Sequence, residues 1–217
     1  MTKELYCITG AAGSGKDTAG AYLATQLGVQ TYALADPIKQ LVSALFNKPV
    51  AFLNHRENKE RKDFYVVTVD SLEQAGLVYA KLGLGKYQDF HDAWDTWQTE
   101  LGLKIMPWGD MEAWYSPRDF FQYFGTEWGR KVCDTMWLDI APEGAVVTDI
   151  RMKNEAAYFI NKGYSLLEII NPNLKPIDAS GHSTESGEAA KAFFTIPVYN
   201  NGSIRDLHVT IDHLLQK

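Results

Sequence analysis

Residues Gly10-Ala11-Ala12-Gly13-Ser14-Gly15-Lys16 follow an apolar run from Leu5 to Thr9 and precede a stretch of helical character from Lys16 to Leu27. Glycines spaced this closely let several backbone N–H groups converge on one point. The helix N-terminus behind them adds a partial positive charge, and the lysine adds a full one. In a strand, loop, helix context this combination is the signature of a loop that cradles phosphates. It also constrains the fold, because the loop needs a buried strand feeding it and a helix leaving it. Gly28 is placed to end that helix, and a plain glycine-rich turn is disfavoured because strand, lysine and helix agree.

A second unit of the same kind follows, with Gln30 to Ala35 as a strand and Pro37 to Phe46 as a helix. Asp36 is placed to cap that helix and Pro37 to occupy its first position. Strand and helix alternation predicts a parallel sheet. The expected fold class is therefore α/β, a three-layer arrangement with a central parallel sheet and helices on both faces. At 217 residues, 46% hydrophobic and 22% charged, one such domain spanning 1–217 accommodates the chain if it carries an insertion.

The insertion is expected at about 47–115, where the pattern becomes irregular and rich in Trp, Tyr and Gly. It reads as mostly helical, with helices near Ser71 to Leu82 and Gln88 to Leu101. Its aromatic residues suit a small satellite core, with a homodimer contact or a substrate cover as alternatives. Ser116-Pro117-Arg118-Asp119 then has the makings of a capped helix start running to about Val132. A strand from Ala145 to Thr148, a helix from Asn154 to Lys162 and a strand from Ser165 to Ile170 resume the alternation. Thr195 to Tyr199 makes a last strand, and Ser203 caps a closing helix to Leu215. The turn-rich stretch 172–187 is the candidate lid.

Bulk chemistry excludes several classes. A net charge of −6 argues against a partner with a phosphate backbone, so nucleic acid is not expected. No apolar run approaches the ~20 residues of a membrane span, and the N-terminus lacks a signal peptide's pattern. Two cysteines, Cys7 and Cys133, make neither a disulfide framework nor a metal-ligand spacing. A cytoplasmic protein is expected.

Within the loop, Gly10, Ala12, Gly13, Ser14, Gly15, Lys16, Asp17 and Thr18 form the expected phosphate-binding set. Asp17 stands where a Ser or Thr usually follows the lysine, with Thr18 displaced by one. A carboxylate there points to a Mg²⁺-linked role, although favouring the helix dipole is the alternative. Val146-Val147-Thr148-Asp149 reads as an apolar strand ending in an acid at the sheet's carboxyl edge, a second metal ligand. If the backbone stays extended, Arg151 points to the same side as Asp149, and a surface salt bridge between them is equally compatible with the spacing.

Arg118, Gln122, Gly125 and Gly129 fall at helical spacings, with Thr126 and Arg130 beside them. That face offers a guanidinium for an anion, an amide for a base edge and glycines that permit close approach. Phe120, Phe121 and Phe124 read as core. Lys39, in the opening turn of the second helix, opposes the dipole and is consistent with a bound anion nearby, next to Asp36.

These motifs together resemble the deoxynucleoside monophosphate kinases of bacteriophages, a branch of the P-loop kinases that also looks like animal phosphomevalonate kinase around the loop. The pieces are GSGKDT at 13–18, ADPIK at 35–39, SPRDFFQYFGTEWGR at 116–130, VTDIRMKNEA at 147–156, GHSTE at 181–185 and NNGSIRDL at 200–207. The resemblance implies ATP- and Mg²⁺-dependent phosphorylation of deoxynucleoside monophosphates. It puts Lys16 and Asp17 at the transferred phosphate, and Arg118, Arg130 and Arg151 near the acceptor phosphate. Gln122 would read the acceptor base, with Thr126, Trp128 and Glu155 completing the acceptor set. Asn200 to Gly202 would lie near the adenine, and the loop around His182 would form part of the flap. Two alternatives stay open: a kinase for another small phosphorylated acceptor, or an ATPase switch.

Overall fold

The computed structural model describes residues 4–107, 109–129, 133–174 and 192–216. In chain order the elements are β1 (Leu5–Gly10), α1 (Lys16–Leu27), β2 (Thr31–Ala33), α2 (Asp36–Leu45), α3 (Val50–Asn54), α4 (Arg56–Lys59) and β3 (Asp63–Val67). There follow α5 (Val69–Lys81), α6 (Tyr87–Glu100), β4 (Lys104–Ile105), β5 (Met111–Tyr115), α7 (Pro117–Gln122) and a π-helical segment (Tyr123–Trp128). The chain closes with α8 (Met136–Asp139), β6 (Val146–Thr148), α9 (Lys153–Asn161), β7 (Tyr164–Ile170), β8 (Ile196–Tyr199) and α10 (Ile204–Leu215).

The chain divides into two compact units, one formed by Met1–Leu34 with Ala141–Lys217 and the other by Ala35–Ile140. The first holds the expected parallel sheet, in the order β2-β6-β1-β7-β8, with every pairing parallel. Residues alternate between its two faces, as the period of a strand requires. Tyr6 and Ile8 of β1, Val146 of β6 and Leu167 and Ile169 of β7 form one core with Ala19 and Leu23 of α1 and Leu207 and Ile211 of α10. α9 packs against β7, where Phe159 meets Tyr164 at a ring separation of 5.3 Å. Strands buried on both faces read as continuous apolar runs, which is why this sheet is visible in the sequence.

The second unit has its own core, built around Leu41, Leu45, Leu53, Phe90, Trp97, Phe120 and Phe124. Its helices α5 and α6 fall where the pattern predicts them. The sequence reading omits a three-stranded antiparallel sheet, β3-β5-β4. These strands are two to five residues long, and such short strands carry too few residues for a period of two to stand out. The predicted helix from Pro117 to about Val132 also changes character, becoming π-helical from Tyr123 to Trp128.

Ser116 caps α7 as expected, accepting from the Asp119 backbone N–H while Asp119 accepts from that of Ser116. Asp36 does not cap α2. Ala35 occupies the cap position, and Asp36 lies inside the first turn. No described helix is long and apolar enough to cross a membrane.

Candidate active site

In the first unit the sheet order brings the two sequence motifs together. β1 is central and β6 is its parallel neighbour, with Cys7 opposite Val147. Both strands therefore deliver their carboxyl ends to the same edge: β1 into the glycine loop, β6 into Asp149. In open parallel sheets that edge is where ligands bind. The Ile150 N–H donates to the Ile8 carbonyl at 3.0 Å, extending the pairing past the end of β6.

The loop's shape depends on glycine. Gly13 has φ 78° and Gly15 has φ 93°, left-handed conformations that a side chain disfavours. Gly15 is the N-cap of α1, and no side chain caps that helix end. Its orphan N–H groups are the donors a bound anion would satisfy. Ser14 is fully buried, and its Oγ has no hydrogen-bond partner among the described residues. An unsatisfied buried hydroxyl costs about 1–3 kcal/mol, so this loop fits a ligand that brings acceptor oxygens.

The Lys16 ammonium lies 3.6 Å from the Asp149 carboxylate, with both side chains largely shielded from solvent. Arg151 Nη2 lies 3.2 Å from the same Asp149 oxygen. The expectation of an extended backbone between Asp149 and Arg151 is corrected: Asp149 has φ 68°, a left-handed turn. The two side chains meet because the chain turns there. Asp17 is exposed in the first turn of α1, and Thr18 is half-buried.

Glu155 serves its own helix. Its carboxylate accepts from the backbone N–H groups of Arg151 at 2.8 Å and Met152 at 2.9 Å, which holds the turn carrying Arg151 onto α9. Asn200, at the end of β8, donates from its side chain to the Ser14 carbonyl at 2.8 Å. Gly202 is packed against Asp206, where a side chain would come within 2.5 Å of Oδ2.

The remaining predicted residues lie in the second unit. Lys39 pairs with Asp36 at 2.8 Å, so its place in the first turn of α2 is balanced within the helix. Arg118 Nε donates to Glu60 at 2.7 Å. Nothing in the spacing links Glu60 to Arg118, 58 residues away. Gln122 and Thr126 are half-buried.

Gly125 and Gly129 are explained by packing. A side chain at 125 would come within 2.9 Å of Ile38 Cδ1, and one at 129 would run into the Trp137 indole and lie 2.8 Å from the Phe124 carbonyl. Trp128 is buried in the aromatic core, edge-on to Trp97 at 4.2 Å between ring centres. Arg130, His182 and all but 172–174 of the candidate lid lie outside the described residues.

Among the described residues no group of three or more His, Cys, Asp or Glu is placed to hold a metal ion. The donor set at the sheet edge is a hard oxygen set of few carboxylates. It suits Mg²⁺, which keeps several waters and leans on substrate phosphates, and does not suit a fully protein-bound metal.

Comparison with known proteins agrees with this chemistry. A model of the deoxynucleotide monophosphate kinase family matches residues 4–77, which contain the loop, α1 and α2. Over 211 residues the chain is 30% identical to the deoxynucleoside-5'-monophosphate kinase of Escherichia phage T5, with 85% of this chain and 84% of that relative covered.

Proposed function

This chain belongs to the deoxynucleoside monophosphate kinase family, and from that premise we propose that it transfers the γ-phosphoryl group of ATP, with Mg²⁺, to the phosphate of a deoxynucleoside monophosphate. The observation that carries the donor side is the convergence of the glycine loop, Lys16 and Asp149 on neighbouring strand ends of one parallel sheet.

An acceptor phosphate oxygen attacks the γ-phosphorus in line. The bond from that phosphorus to the oxygen bridging to the β-phosphate breaks, and ADP leaves with the electron pair. A phosphate monoester is largely doubly ionised at neutral pH, its second pKa being about 6, so no strong general base is required. Catalysis then rests on positioning and charge neutralisation.

The backbone N–H groups from Gly13 to Lys16 bind the donor's phosphate tail. Lys16 exchanges its Asp149 partner for a phosphate oxygen and neutralises charge spread over the transferring group. Asp149 and Asp17 would hold Mg²⁺ together with water and phosphate oxygens, and the ion would supply Lewis-acid stabilisation of that same charge. On the family's pattern, Arg118, Arg130 and Arg151 are the candidates for the acceptor's phosphate, and Gln122 is the candidate for its base. Glu155 keeps Arg151 in place through the two backbone N–H groups it accepts from.

A coupled ADP-release assay with each deoxynucleoside monophosphate, each ribonucleoside monophosphate and no acceptor tests this reading. Turnover with one or more deoxynucleotides and almost none without acceptor is the expected result. Equal turnover without acceptor would make the protein an ATPase switch, and strict preference for another phosphorylated acceptor would reassign its substrate.

A further inference from the structure

We propose that Asn200 is a positioning residue for the phosphate loop, acting through the Ser14–Gly15 peptide and not through the base of the nucleotide. The proposal rests on the loop being the donor site. Asn200 Nδ2 donates to the Ser14 carbonyl at 2.8 Å across 186 residues of sequence. No cis peptide is present among the described residues, and in a trans peptide the carbonyl and the following N–H point in opposite directions. Holding the Ser14 carbonyl toward Asn200 therefore turns the Gly15 N–H to the opposite side. That N–H is one of the loop donors a phosphate needs.

Asn200 is itself rigidly placed. Its backbone N–H donates to the Ile170 carbonyl at 2.8 Å, continuing the pairing of β8 with β7 beyond Tyr199. Three residues on, Ser203 and Asp206 form a reciprocal capping box that fixes the start of α10, and Leu207 of α10 is buried in the core shared with α1. The carboxamide thus projects from a platform tied to the sheet and to α10.

The opposing surface is shaped to receive it. A side chain at position 15 would run into the Asn200 carboxamide. Glycine at 15 serves two ends there: the left-handed backbone, and the close approach of Asn200. A glycine-rich loop has many conformations to lose on binding, so a bond that fixes its central peptide beforehand strengthens binding of any ligand the loop takes.

Two full-length variants, Asn200→Ala and Asn200→Asp, test the proposal by calorimetric binding of ATP and of inorganic tripolyphosphate, which has no base. Losing one hydrogen bond should weaken both probes by a similar factor, about 2- to 10-fold for Asn200→Ala. Asn200→Asp, which cannot donate and adds negative charge, should weaken them further. KM for ATP should rise while KM for the acceptor stays as in the wild type.

Amide exchange across Gly13 to Lys16 in the ligand-free protein should speed up in both variants, a readout independent of any nucleotide. Weakening confined to ATP would make Asn200 a base ligand and overturn the proposal. Unchanged loop exchange in both variants would overturn it as well, including in an alanine variant whose melting temperature falls. Failure of the wild type to bind either probe would instead sink the assignment of the loop as the donor site, and the exchange result would still decide the role of Asn200.

Discussion

Lys16, at the start of α1, and Asp149, just past the end of β6, face each other at 3.6 Å, and Arg151 shares the same Asp149 oxygen at 3.2 Å. The lysine that would meet the donor's phosphates is thus held beside a carboxylate that a second cation also neutralises. A triphosphate can draw Lys16 away without leaving Asp149 unpaired.

Replacing Lys16 by alanine should lower kcat/KM by about 10²–10³-fold, the scale of losing one pre-placed group that stabilises transition-state charge. Stability should change by about 1 kcal/mol or less, because Asp149 keeps Arg151 as its partner when Lys16 is removed. Steady-state kinetics beside a urea titration separates the two effects. A large loss of stability with modest loss of turnover would mean that the lysine is structural.

Asp149 separates backbone from charge. Its φ of 68° is tolerated by Asn and Asp and resisted by β-branched residues. Asp149→Asn should melt close to the wild type, whereas Asp149→Val should lose about 1–2 kcal/mol from the left-handed conformation. Both lack the carboxylate, so both should lose most of their turnover. Equal stability of the two would show that the turn relaxes without cost.

The two glycines of the π-helical region should differ in tolerance. Gly129→Ala forces a methyl against the Trp137 ring and the Phe124 carbonyl, and overpacking of this kind costs about 1–3 kcal/mol. Gly125→Ala meets only the terminal Cδ1 of Ile38 at 2.9 Å, the end of a side chain that can rotate. Chemical unfolding should rank Gly129→Ala as the more destabilised. The reverse order would mean that the segment is held by something other than this packing.

Acid should erase one stabilising contribution at the start of α10. The Ser203 hydroxyl, and then its backbone N–H, hold the Asp206 carboxyl below its ordinary range. The unfolded chain binds that proton more readily, so the contribution is present above the ordinary aspartate range and is lost as pH falls through the lower folded value. The urea midpoint of Asp206→Ala should lie below the wild type near neutral pH and approach it in acid. A gap that stays constant down to about pH 3, below the ordinary Asp value, would contradict the linkage.

Much of the framework is legible in the residues because its signals are local. α1 runs from Lys16 to Leu27, the range the sequence predicts, since Gly15 and Gly28 mark its ends. The capping boxes at Ser116 and Ser203 are equally readable, because cap and partner lie three residues apart. Asp36 shows the limit. Its residue type favours a cap, but the helix begins one residue earlier and its carboxylate turns to Lys39.

The shared face of Arg118, Gln122, Gly125 and Gly129 presupposes an α-helical period throughout, but the chain is π-helical from Tyr123 to Trp128. A π-helical turn holds more residues, so the positions do not line up as that period requires. The glycines there answer to Ile38 and Trp137, and Trp128 to the aromatic core.

By itself the sequence determined the strand, loop and helix that present Lys16, the acid that ends β6 and the caps that punctuate the helices. These depend on neighbours a few positions apart, whose chemistry acts before the chain has a shape. Tertiary structure alone decided that Asp149 meets Lys16, that Glu60 holds Arg118, and that Asn200 reaches the Ser14 carbonyl. Those pairings join distant segments, so they follow from strand order and helix packing, and no spacing along the chain records them.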